Sequence, residues 1–87
     1  MLSVKRLLYN RVSTAREHCA GCTPADKSQL LREIDEALAF AYEVEAHPEI
    51  INKLTEARRI VNGTKTYYER IPADQILCEI LNVDLKG

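Results

Sequence analysis

The chain is poor in the residues that punctuate a fold: it has three glycines and three prolines among 87 residues. With 46% hydrophobic and 29% charged residues, this scarcity excludes a disordered or low-complexity chain and points to a helix-rich globular one. No apolar run approaches the ~20 residues that a membrane helix needs, so no membrane role is expected. Three cysteines are an odd number and cannot complete a disulfide framework. The start of the chain lacks the apolar core of a secretory signal, so the expected setting is a reducing cytoplasm. A net charge of −1 gives no global pull towards nucleic acid or an anionic membrane. The chain also lacks a phosphate-binding glycine loop, a serine elbow and a His-Glu-x-x-His motif. Neither histidine has a sequence context that suggests a triad. The expectation is a non-enzymatic chain with no cofactor and no catalytic residue.

The residues present specify helices. Eighty-seven residues make one domain, 1–87, with one small core. The longest pattern is 23–46, TPADKSQLLREIDEALAFAYEVEA. Thr23 can cap it, Pro24 suits its first position, and Asp26 favours the positive end of the helix dipole. At 100° per residue, Leu30, Leu31, Ile34, Ala37, Leu38, Ala41 and Val44 share one side, edged by Phe40 and Tyr42. Only Glu33 intrudes. So wide an apolar sector predicts packing against more than one neighbour, and Leu31 and Tyr42 extend it far enough to suggest a homodimer.

Upstream, Val4, Leu8, Val12, Ala15 and Cys19 form a stripe at helical spacing, with Gly21 placed to end that helix. Downstream, the His47-Pro48 step breaks the long helix. Pro48 then opens a third, with Ile50, Leu54, Ala57 and Val61 inward, Ile51 beside them and Gly63 at its end. Pro72-Ala73-Asp74 repeats the earlier Pro-Ala-Asp start, before Ile76, Leu77, Ile80 and Leu81. The expected fold is all-α: a compact bundle of four helices at about 2–20, 24–46, 48–62 and 73–83, with an irregular connection at 63–71. That connection reads as a loop, a helical turn or a short strand.

Charge alternates along the chain. Residues 1–22 are net +3, 23–49 net −5, 50–72 net +3 and 73–87 net −2. If the blocks are successive helices, this favours antiparallel contact between sequence neighbours. The first sixteen residues are basic, amphipathic and free of acids, a pattern that mitochondrial transit peptides share with ordinary basic helices. The ordinary helix is the reading taken here.

Three groups of side chains suggest chemistry. Cys19 and Cys22, with two residues between them, could hold one zinc ion with distant Cys78 and His18 or His47. The second half of such a site is a lone cysteine, so the pattern is weak, and Cys19 also lies on the core stripe. The pair follows a helix rather than opening one, where the dipole disfavours a redox thiolate. The second group, Arg58, Arg59, Lys65, Tyr67, Tyr68 and Arg70, combines cations, aromatic faces and irregular backbone. It suits stacking with bases and pairing with phosphates. The third is the acidic face Glu33, Asp35, Glu36, Glu43 and Glu45, which lacks the Glu-x-x-His partners of a di-metal bundle and reads as solvated. The last helix carries Asp74, Gln75, Glu79 and Asn82 outward and is poorly suited to a phosphate backbone.

No family motif is recognised, although helix count and length resemble those of many small bacterial and phage regulators and inhibitors. The leading expectation is a small binding protein, a regulator or inhibitor of phage or mobile-element type, that acts by contact with another protein. A nucleic-acid or nucleotide binder using 58–70 is the rival, and a zinc-stabilised adaptor the third reading.

Overall fold

The computed structural model describes residues 4–20 and 26–86, which form four α-helices and one short 3-10 turn. The helices are α1 (Val4–Ala20), α2 (Lys27–Glu43), α3 (Pro48–Gly63) and α4 (Ile71–Lys86), with the turn at Tyr67–Arg70 leading straight into α4. They close into a ring: α1 packs on α2 and α4, and α3 on α2 and α4, with no close backbone approach across the diagonals among the described residues. The expected all-α, four-helix bundle is the fold observed. No strand forms among the described residues.

Helical spacing explains the core. Leu8, Val12, Ala15 and Cys19 line α1, and Leu30, Ile34, Ala37 and Ala41 line α2. Ile50, Leu54, Ala57 and Val61 line α3, and Ala73, Leu77, Ile80 and Leu81 line α4. Each set recurs every three or four residues, which keeps it on one face. Alanines at 15, 37, 41, 57 and 73 let the backbones approach. The large side chains between them, such as Leu30, Ile34, Leu54 and Leu77, are fully buried, each worth about 1.5–3 kcal/mol of transfer free energy.

The helix ends differ from the sequence expectations. The long helix begins at Lys27, capped by Asp26, whose side chain accepts from the Gln29 N–H at 2.8 Å. Thr23, Pro24 and Gly21 lie outside the described residues. The same helix stops at Glu43 instead of reaching 46. The Glu45 N–H bonds to the Tyr42 carbonyl and the Ala46 N–H to that of Ala41, while Glu45 itself takes a left-handed φ of 54°. This is the Schellman closure, in which two orphan carbonyls are satisfied at once, formed here around a glutamate. Pro48 opens α3 as expected, with His47 Nδ1 accepting from the Glu49 N–H at 3.1 Å. Gly63 is the last residue of α3 and has no positive φ. The last helix starts at Ile71, two residues early, because the 3-10 turn feeds it without a break.

Every seam of the ring carries an ion pair, with the base on α1 or α3 and the acid on α2 or α4. Between α1 and α2, Arg11 lies 3.7 Å from Glu36, and beside this pair His18 hydrogen-bonds to Glu33 at 2.7 Å. Asp35 pairs with Arg58 across α2 and α3. Lys53 meets Glu79 at 2.7 Å across α3 and α4, and Arg16 meets Asp74 at 3.5 Å across α4 and α1.

Candidate interaction surface

The connection between α3 and α4 is held from several sides. Thr64 is buried, and its hydroxyl donates to the Val61 carbonyl at 2.7 Å. Its own carbonyl accepts from Lys27 Nζ of α2 at 3.1 Å. Thr66 is extended and caps the 3-10 turn. Glu69 Oε2 reaches back to accept from the Thr66 N–H at 2.8 Å and from the Lys65 N–H. These two backbone bonds hold the Glu69 carboxyl below its usual range, because they stabilise its charged form.

Arg70 then turns inward. Its residue is only 8% exposed, and Nη1 donates to the His18 carbonyl at 3.4 Å. The Cys19 thiol donates in turn to the Arg70 carbonyl at 3.6 Å. With Thr64 and Arg70 inside, the residues that follow their neighbours face water. Tyr68 is 77% and Ile71 48% exposed, two of the four large hydrophobic side chains most open to solvent among the described residues. Three positions apart on one turn, they share a side. Lys65 is exposed beside them in the chain.

The basic and aromatic group singled out by sequence therefore divides. Arg58 faces Asp35 across the α2–α3 seam. Arg59 forks onto Glu56 one turn earlier on its own helix, with Nε to Oε2 at 3.0 Å. Arg70 points into the bundle. Tyr67 opens the 3-10 turn, and Lys65 and Tyr68 lie on the outer side of that segment. Three guanidinium groups thus have acceptors within the chain, and Lys65 and Tyr68 are exposed. Ile71 was missing from the sequence reading. Its neighbour Pro72 suggested a helix start, and nothing in the spacing showed that residue 71 would fall outside the core.

The acidic face is also divided. Glu33, the intruder on the apolar sector of α2, meets His18: Nδ1 lies 2.7 and 2.8 Å from its two carboxylate oxygens. An ionised carboxylate only accepts, so Nδ1 carries the proton. Glu36 and Asp35 serve the seams, and the Arg11 guanidinium also lies 5.2 Å from the centre of the Phe40 ring. An open groove along the α1–α2 seam is lined by Asn10, Arg11, Thr14, Glu33 and Glu36. Its charges already answer one another.

Of the candidate zinc ligands, Cys19 is fully buried and Cys78 half-buried, both as free thiols, and Cys22 lies outside the described residues. Burial, then the Asp74 carboxylate, push the Cys19 thiol up to about 11 against the opposing pull of Arg70. His18, next to Cys19, lies beside Glu33 of α2, ten residues or about 15 Å of helix from the Glu43 end, beyond which His47 caps α3, so Cys19 and His47 cannot share a metal. Among the described residues no group of three His, Cys, Asp or Glu side chains is placed to hold one. Nor is any described helix long and apolar enough to cross a membrane.

Comparison of the chain with protein-family models, with characterised proteins and with solved structures finds no match.

Proposed function

We propose that this chain is a small non-enzymatic binding protein, a regulator or inhibitor, that acts by presenting the 65–71 turn to another protein. The observation that supports this reading is the outward Tyr68 and Ile71 pair on a turn braced from within by Thr64 and Arg70 and capped on its outer side by Glu69. Exposed aromatic and branched aliphatic side chains on a pre-ordered backbone make effective interface anchors, because little conformational freedom is lost on binding. The pairing of Arg58, Arg59 and Arg70 with acceptors of the chain itself weighs against the nucleic-acid reading. The setting proposed is cytoplasmic, in keeping with an odd number of cysteines and two free thiols.

The test is parallel affinity capture from extract of the source cells, using the natural chain and a Tyr68→Ala/Ile71→Ala variant. The expected result is a protein retained by the first and lost by more than about tenfold with the second, the cost of removing an interface anchor. Equal retention by both overturns the turn as the contact. Salt-sensitive binding of short single-stranded oligonucleotides, weakened by Arg59→Ala and Tyr68→Ala, would instead favour the nucleic-acid reading.

A further inference from the structure

We infer that the outer side of α2, with the adjoining edge of α3, pairs with the same surface of a second copy of this chain. The two α2 helices run antiparallel about a two-fold axis near Ala37. This surface is separate from the 3-10 turn Tyr67–Arg70, which packs on α1, α3 and α4 and whose lead-in at Thr64 approaches α2 at Lys27, the end of the helix away from Tyr42. Either proposal can fail without the other.

The first observation is an apolar strip that the bundle covers only in part. Leu31, Leu38 and Tyr42 lie on the flank of α2 that faces α3, the side marked by Asp35 reaching Arg58. Leu31 and Leu38 touch the core yet stay partly exposed, and Tyr42 is 62% exposed. Ile51 of α3, also partly buried, lies seven residues before Arg58 on the same flank. The Asp35–Arg58 pair in the middle of the strip is internally neutralised, so the surface has no net charge there to repel a copy of itself.

The second observation is the polarity of the adjoining line. At 100° per residue, the outermost positions of α2 are Arg32, Ala39 and Glu43. Arg32 and Glu43 enter no ion pair among the described residues. A base near one end of an exposed line and an acid at the other oppose a parallel copy and attract an antiparallel one.

The two observations share one register. In an antiparallel pair centred near Ala37, Leu31 comes level with Tyr42 of the second copy. Arg32 comes level with Glu43 within one residue's rise, about 1.5 Å. Each contact occurs twice by symmetry, so the assembly closes as a dimer. Ala39 leaves room for the backbones to approach. One helix flank is a small interface, at the low end of specific contacts, so association is reversible and dependent on concentration.

Sedimentation equilibrium from roughly 5 to 500 µM, the range in which a small interface operates, tests this. The apparent mass should rise from the 9.9 kDa of one chain towards twice that value. Tyr42→Glu and Ala39→Arg, both at exposed positions, should each abolish the rise while thermal unfolding remains cooperative. Arg32→Glu and Glu43→Arg should each weaken association about tenfold, and the double reversal should restore it. A chain that stays monomeric throughout overturns the inference. So does association indifferent to both Tyr42→Glu and Ala39→Arg, or a double reversal no better than the single ones.

Discussion

Arg58 of α3 and Asp35 of α2 form an ion pair across their seam, and this places a candidate binding cation in the service of helix order. The same logic repeats around the ring, where α1 and α3 supply bases and α2 and α4 supply acids. An alternative bundle with α1 beside α3 would set Arg11 and Arg16 against Lys53 and Arg58. One with α2 beside α4 would set acid against acid. Exposed pairs contribute little individually, but like charges in the wrong order oppose any ring that changes which helices are neighbours.

The first prediction follows from that pair. Arg58→Asp should lower the melting temperature by about a few degrees, the scale of a small perturbation in a domain of this size. Adding Asp35→Arg should recover most of the loss, and salt should shrink the difference. Calorimetric melts of the two single variants and the double variant check it; a loss in the double variant equal to the sum of the single losses would show that the pair does not couple.

Legibility in the sequence tracked the type of physics involved. Core positions such as Leu30, Ile34, Leu54 and Val61 were readable because burial follows helical periodicity, and Pro48 was readable because its ring fixes local backbone. Gly63 closes α3 as its position in the sequence suggests, whereas the end of α2 was not readable, because its left-handed residue, Glu45, is set by where the α2 carbonyls find donors and no side chain announces this. Arg58, Arg59 and Arg70 looked alike in sequence and face three directions in the fold. Partner choice there depends on helix rotation and on Asp35, Glu56 and the His18 carbonyl, two of which lie on other helices. Glu33 did signal itself, as the one acid inside an apolar sector, but its partner His18 could be found only in three dimensions.

The second prediction concerns the misplaced glycine. Glu45 holds a φ of 54°, a conformation that costs a residue with a Cβ about 1–2 kcal/mol. Glu45→Gly should therefore stabilise the chain by about 1 kcal/mol. Gly63 is helical and an added Cβ would meet nothing within 4 Å, so Gly63→Ala should also stabilise, by about 0.5–1 kcal/mol. Urea unfolding of both variants measures the gain, and destabilisation by either would contradict the backbone argument.

The third prediction concerns Cys19. Its thiol is buried and pushed up to about 11, so at pH 8 only about one molecule in a thousand carries the thiolate that alkylating agents attack. Native protein should leave Cys19 unmodified by iodoacetamide at that pH, as peptide mass mapping would read, and denaturant should expose it. Labelling of Cys19 at the pace of a free thiol in the native state would contradict its burial against Arg70.

The last prediction joins the turn to pH. Glu69 accepts from the Lys65 and Thr66 N–H groups, and its folded carboxyl lies below the unfolded value. The sign follows from linkage: a depressed folded value means the contribution is complete above the unfolded value, about 4.3, and is lost as pH falls through the folded one. The amide proton resonances of Lys65 and Thr66 should therefore shift together below pH ~4, and Glu69→Ala should remove that shift at every pH. Loosening the turn adds an ordering cost to any contact made by Tyr68 and Ile71. The same variant should thus weaken capture of the partner by about several-fold while the helices of the bundle keep their melting behaviour. Full capture by Glu69→Ala would show that the bracing of the turn does not serve binding.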